Sequence, residues 1–196
     1  MTEAKTGYHH GDLRAALIDA GLQLTRASGP EALTIREATR RVGVSPNAAY
    51  RHFADRDALL EAVAAAIQHR MTARMRASVR GRGATELLRA VGVGYIKFAL
   101  DEPGWFAVAF FGAGQSDETA SAPPYLALVE ALDAMVSAKA LSPERRDGAE
   151  WPCWSAVHGF AELALRGPLR GARRREVDSL AQRTVDDIIA GVSRRA

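Results

Sequence analysis

The chain has 196 residues, 47% of them hydrophobic and 25% charged, with a formal net charge of +3 and a pI near 9.3. That is the composition of a globular protein with a substantial core, in one domain or in a small domain joined to a larger one. The mild basic excess permits nucleic acid as a partner without requiring it. The single cysteine, Cys153, excludes an internal disulfide and a cysteine-rich zinc site and suits a reducing cytoplasm. A buried small hydrophobe is expected there rather than a redox switch.

Met1 to Gly7 reads as a mobile arm, and no apolar run of signal-peptide type is found near it. The His9-His10 pair invites a metal, but adjacent histidines point in different directions and no third ligand lies nearby. A first helix is expected from about Asp12 to Ser28, with Leu13, Leu17, Ala20 and Leu24 on one stripe and Gly29-Pro30 as its stop. Its stripe should pack on Ile35, Ala38, Val42 and Phe53, because two short helices bury too little apolar area to hold themselves.

Thr34 and Glu37 have the spacing of a capping box. A helix therefore starts at Thr34, carries Ile35, Ala38 and Val42 at spacings of three and four, and ends at Gly43. Ser45 then offers a second N-cap with Pro46 at the first helical position, opening a short helix to about Phe53. Two short helices joined by a glycine-containing turn have the spacing of a helix-turn-helix, whose second helix enters the DNA major groove. Arg36, Arg40, Arg41, Arg51 and Arg56 stand here against only Glu37 and Asp55, with Tyr50 and His52 interleaved. Phosphate contacts need such donors; a helical hairpin with a solvated basic face is the plainer reading of the same charges.

The runs Leu33-Thr34-Ile35-Arg36-Glu37, Gly43-Val44-Ser45 and Tyr50-Arg51-His52-Phe53, with Asp55-Arg56-Asp57-Ala58-Leu59-Leu60 after them, resemble the N-terminal domain of TetR-family transcriptional regulators. The resemblance covers about the first 65 residues. Three positions depart from the family's habit. Thr39 and Val42 stand where alanine is common, and Arg56 stands where lysine is usual.

Asp55 caps the next helix, expected from Arg56 to about Arg80 with Leu60, Val63, Ala64, Ile67 and Met71 on one face, long enough to link two domains. Its arginine-rich end, Arg70 to Arg82, reads as a solvated face rather than a second nucleic-acid patch. Ala84 to Leu100 is a helix with Leu87, Leu88, Val91, Tyr95 and Phe98 at core spacing; Gly92 and Gly94 weaken it and serve close helix contact or a ligand. The stretch Leu87 to Phe111 carries too many charges, and Pro103, for a membrane span. Pro103 starts a short helix bearing Trp105, Phe106, Phe110 and Phe111. Gly112 to Pro124 is a loop by composition, and Tyr125 to Lys139 is a helix. Ser142-Pro143 opens a helix running through Leu165 to Gly167-Pro168, kinked at Pro152, and a final helix spans about Arg173 to Arg194. The apolar stripes of these last two helices leave surface for a two-fold dimer interface, assigned to Phe160, Leu163, Leu180, Val185 and Ile188.

The run Trp154-Ser155-Ala156-Val157-His158-Gly159-Phe160 is similar to the signature of the TetR subgroup whose C-terminal domain is named for its Trp, His and Gly. Together the two resemblances imply an all-α protein of about nine helices. A DNA-binding domain (residues 1–55) would precede a ligand-binding and dimerisation domain (residues 56–196). The resemblance implies a cytoplasmic homodimer reading a palindromic DNA operator, most simply a repressor released by a small molecule. It places Ser45, Pro46, Asn47 and Ala48 at bases or the nearest phosphates, Tyr50 and His52 at the backbone, and Thr34 and Arg56 beside them; Arg36 and Arg51 join this set by charge. Asn47 has the donor and acceptor that match adenine. The His9-His10 arm is open to the DNA backbone or to solvent. An apolar or aromatic effector is assigned to Tyr95, Trp105, Phe106, Phe110, Trp154 and His158, residues that would otherwise fill the core. No nucleophile elbow, zinc-binding helix or phosphate loop occurs in the sequence, and no catalytic residue, cofactor or metal is expected. Two alternatives stand beside this reading: a helical small-molecule-binding protein without specific DNA binding, and an activator of the same fold.

Overall fold

A computed structural model describes residues 12–77, 79, 83–112 and 121–193. The expectations for the N-terminal arm, for His9-His10, for Arg80 and Arg82 and for most of the loop after Gly112 fall outside the described residues. Among them the chain forms ten α-helices and one 3-10 turn, with no strand.

Helix α1 (Leu13–Ser28) starts where the Asp12 carboxylate accepts from the Ala15 N–H at 2.9 Å, and it buries Leu17, Ala20 and Leu22. A 3-10 turn (Pro30–Ala32) leads to α2 (Ile35–Val42) and α3 (Pro46–Tyr50). Helix α4 (Arg56–Ala77) begins at Asp55, whose carboxylate accepts from the Ala58 N–H at 2.8 Å. The remaining helices are α5 (Ala84–Asp101), α6 (Pro103–Phe111), α7 (Pro123–Ser137), α8 (Pro143–Arg146), α9 (Glu150–Leu165) and α10 (Arg174–Ser193).

The single helix expected from Pro143 to Gly167-Pro168 is two helices, the second ending at Leu165. Gly148, at φ +71°, breaks the chain between α8 and α9. Pro152 then falls in the first turn of α9, where no intrahelical acceptor awaits its missing N–H, and the kink expected there has no cause.

Helix α5 is the central element, packed against α4, α6, α7, α9 and α10. One continuous apolar cluster runs from Leu17 and Leu33 at the N-terminal end, through Leu60, Ile67 and Met71 of α4, to Phe98, Leu132 and Val185. The two α5 glycines differ in what they face. At Gly94 an added Cβ would stand 2.8 Å from the Met75 Cα, so α4 and α5 touch backbone to backbone; at Gly92 it would meet only side-chain methyls, those of Val185 at 3.2 Å.

This contrast predicts opposite responses to the same substitution. Gly94→Ala should destabilise the protein by about 1–3 kcal/mol, because backbone yields less than side chain. Gly92→Ala should be near neutral, since helix propensity gains about 1 kcal/mol against mild crowding. Urea unfolding midpoints at constant slope check both.

Candidate functional site

The helix pair α2–α3 is held by its ends. The Thr34 hydroxyl accepts from the Glu37 N–H at 3.1 Å, and Gly43 closes α2 in the left-handed region at φ +77°. Only half of the capping box forms. The Glu37 carboxylate turns instead to Arg40, which donates to it at 2.6 and 2.9 Å, with Arg41 at 3.6 Å. A bidentate charge-assisted pair outweighs one bond to a backbone N–H. The Arg40 hydrogen bonds hold the Glu37 carboxyl below the usual carboxylate range.

Helix α3 is shorter than the sequence suggests. It ends at Tyr50, and the Phe53 N–H donates back to the Ala49 carbonyl at 3.0 Å as the chain turns. Ser45 occupies the N-cap position without a side-chain bond. Phe53 and Ala49 are buried toward α1, while Ser45, Pro46, Asn47, Tyr50, Arg51 and His52 are exposed; Tyr50 keeps 53% of its surface in water. An exposed tyrosine on a five-residue helix adds nothing to the core and is available to a partner.

The arginines of this region separate into two groups. Arg40 and Arg41 are tied to Glu37. Arg56, expected at the DNA, faces the protein: its Nε and Nη2 donate to the carbonyls of Leu33 and Pro30 at 2.8 and 2.7 Å, and Nη1 to Asp57 at 3.0 Å. The fork that distinguishes arginine from lysine holds the start of α4 against the turn before α2. The side chains of Arg36 and Arg51 are exposed and make no hydrogen bond or ion pair among the described residues. Their charge is offered outward beside Thr34, Ser45, Pro46 and Asn47, with Ala48 half-buried behind.

The aromatic residues expected to meet a ligand do not form one group. Tyr95, Phe106, Phe110, Trp154 and His158 cluster, with ring centroids 5.0–6.2 Å apart. Trp105 lies elsewhere. Its indole N–H donates to the Leu22 carbonyl of α1 at 2.8 Å, and Arg26 and Arg70 stand over its ring. It faces the N-terminal helices because α6 turns Trp105 and Phe106, neighbours in sequence, to different sides.

Beside the cluster a small cavity of ≈ 20 Å³ opens between α5, α7, α9 and α10, lined by Tyr95 and Trp154 and by Leu88, Val91, Cys153 and Val157. By volume it holds about one water-sized molecule, although its walls are apolar. The four aliphatic and thiol residues escaped the sequence reading because apolar positions at helical spacing signal core and cavity wall alike. Burial pushes the Cys153 thiol up to about 11, so it stays protonated. The Tyr95 hydroxyl lies 2.7 Å from His158 Nδ1. Burial lowers the His158 pKa from its ordinary value and outweighs the opposing charge of Glu162; Tyr95 is pushed well above its own. A neutral imidazole protonated on Nε2 accepts from the tyrosine at that distance.

Two of the expected interface residues belong to the chain's own core. Val185 is 1% exposed and packs on α5, and Phe160 is 7% exposed. The stripes on α9 and α10 face α5, which consumes them. Leu163 and Leu180 remain exposed, together with Trp151, and Ile188 is half-buried at the cavity.

Residues 88–188 match the family described as "Tetracyclin repressor-like, C-terminal domain", and residues 17–63 match "Bacterial regulatory proteins, tetR family". The chain belongs to the TetR family. Its TetR-family fold is similar to that of a protein of unknown function from Rhodococcus sp. RHA1, at 27% identity and a TM-score of 0.78, covering 97% of this chain and 100% of that one. It is similar also to a TetR variant from Acinetobacter baumannii in complex with minocycline (22% identity, TM-score 0.66, 91% and 94% covered). A third TetR-family likeness is to the regulator PfmR from Thermus thermophilus (18%, TM-score 0.62, 91% and 99%). No curated protein matches the sequence. Among the described residues of this TetR-family chain, no helix is long and apolar enough to cross a membrane, and no group of three or more His, Cys, Asp or Glu is placed to hold a metal.

His158 gives the site a pH signature. A histidine with a lowered folded pKa binds its proton more readily in the unfolded chain. Its contribution to stability is therefore level above about pH 6.5, the ordinary histidine value, and falls as pH drops through and below it. Unfolding free energies measured from neutral pH down to about pH 5 should decline less steeply in His158→Gln than in the wild type.

Proposed function

We propose that this TetR-family regulator acts in the cytoplasm as a homodimeric repressor that binds a palindromic operator and leaves it when a small molecule occupies the C-terminal half. The division at residues 55 and 56 separates the reader from the sensor. The observation that carries the reading is the pair of exposed arginines, Arg36 and Arg51, without partners among the described residues and flanking the exposed Ser45-Pro46-Asn47 end of α3 and Tyr50. In this proposal Arg36, Arg51, Thr34, Tyr50 and His52 hold phosphates. Ser45, Pro46, Asn47 and Ala48 meet base edges or the nearest phosphates, and Arg56 positions them through the Pro30 and Leu33 carbonyls. No catalytic role is assigned to any residue.

One copy of so short a helix binds weakly, and two-fold pairing supplies the second. Ser155, Gly159 and Leu163 recur every fourth residue on the exposed side of α9, small enough at the first two for a second helix to approach; Leu180 of α10 adds to that face. The effector is apolar or aromatic and enters by widening the cavity, which at ≈ 20 Å³ holds only about one water-sized molecule. Tyr95 and Trp154 line the cavity, and Phe106, Phe110 and His158 form the wall behind them.

Gel shifts against an operator selected from random duplex DNA test the reading. Arg51→Ala and Tyr50→Ala should each weaken specific binding by about 1–3 kcal/mol with helix content unchanged, and Arg51→Ala, which removes one phosphate contact from each copy of the dimer, should lower the salt slope by about two. Wild-type affinity in both variants would refute the contact assignment. In sedimentation, Leu163→Asp should convert a dimer to a monomer.

A further inference from the structure

We propose that Glu102 is a specificity-determining positioning residue. It clasps the N-terminal helices to α6, and this clasp sets which separation of operator half-sites the protein accepts. The inference rests on the dimeric-regulator reading above and concerns a residue that touches neither DNA nor effector.

Glu102 ends the turn between α5 and α6 and is 5% exposed. Its two oxygens receive three hydrogen bonds from two other helices. Arg26 of α1 donates at 2.7 Å from Nε and 2.6 Å from Nη2, and Arg74 of α4 donates at 3.0 Å. Next along α6, a Cβ at Gly104 would stand 2.5 Å from the Thr25 carbonyl oxygen and closer still to that of Arg26, so α6 rests directly on the backbone of α1. Trp105 then bonds the Leu22 carbonyl, with Arg26 and Arg70 over its ring. Within four residues the start of α6 is fixed to the last turns of α1 by charge, by backbone contact and by a buried indole.

The other end of α6 belongs to the effector side, where Phe106 and Phe110 pack on Tyr95 and His158. Helix α1 in turn carries Phe53 and the α2–α3 pair. Orientation of α3 relative to the dimer face of α9 and α10 thus passes through α4 and through the Glu102 clasp. With the clasp intact the reader is held at one angle. Without it α1 and α6 keep only the Gly104 contact and the Trp105 bond, both near one point, and two helices held at one point turn against each other more easily than two that are also clasped by charge.

The test uses the full-length protein and the operator recovered by selection, with its central spacer lengthened or shortened by one and two base pairs. Wild type should bind the selected spacer about 10-fold or more tightly than the altered ones. Glu102→Gln keeps the side chain's shape, and Gly104→Ala leaves the carboxylate in place while pushing α1 away. In each, discrimination between spacers should fall to about 3-fold or less. The salt slope at the best spacer should not change, since no phosphate contact is removed. An equal loss of affinity at every spacer, or an unaltered spacer profile, in folded variants would overturn the clasp and leave the regulator reading intact. A wild type that retains no selected duplex would sink both. If Glu102→Gln fails to fold, Arg26→Lys, which keeps the charge and loses the bidentate fork, is read by the same profile.

Discussion

A carboxylate removed from water needs compensation for its lost hydration, and Glu102 obtains it from two guanidiniums on different helices. The Arg26 hydrogen bonds keep its carboxyl below the usual range in spite of burial, so it remains charged and the attraction persists at neutral pH. This requirement joins the halves of the molecule. Arg26 and Arg74 reach Glu102 only while α1, α4 and the start of α6 keep their mutual angles. The short helices α2 and α3 inherit their placement from α1 and α4, because eight and five residues are too few to be stable alone.

Around the α2–α3 pair the chain uses arginine in three ways. Arg56 donates to the Pro30 and Leu33 carbonyls, Arg40 and Arg41 answer Glu37, and Arg36 and Arg51 are left in solvent without acid partners among the described residues. Only the last group has charge to offer a phosphate backbone. The sequence showed five arginines against two acids and had no means of separating them. Which guanidinium finds a carbonyl depends on the 3-10 turn at Pro30–Ala32 folding back against the start of α4, a contact between residues distant along the chain.

The effector side shows the same limit in apolar form. Tyr95, Phe106, Phe110, Trp154 and His158 were legible as a group because aromatic residues are rare and large. Trp105 was legible too and was placed with the wrong neighbours. Rotation along α6 sends its indole to Leu22, and the pairing of Tyr95 with His158 satisfies two polar groups that a ligand would otherwise meet. The cavity walls supplied by Leu88, Val91 and Cys153 carry no local mark, since an aliphatic side chain facing a gap and one facing a neighbour are the same residue type at the same spacing. Val185 and Phe160 were misplaced for a related reason: a stripe shows that a helix has a buried face, and not what covers it.

The sequence by itself determined the local devices: the Thr34 and Asp55 caps, the left-handed Gly43, the start of α3 at Pro46, and the order and approximate bounds of most helices. Those follow from interactions within four residues, which composition and spacing record directly. Gly148 shows how narrow the margin is, since one positive φ turned an expected helix into two. The tertiary structure alone decided which arginines are free, which side of α6 each aromatic ring faces, which stripes α5 consumes, and that Glu102 binds α1 to α4. Each of these depends on residues brought together from far along the chain, and their meeting is fixed by packing rather than by any local pattern.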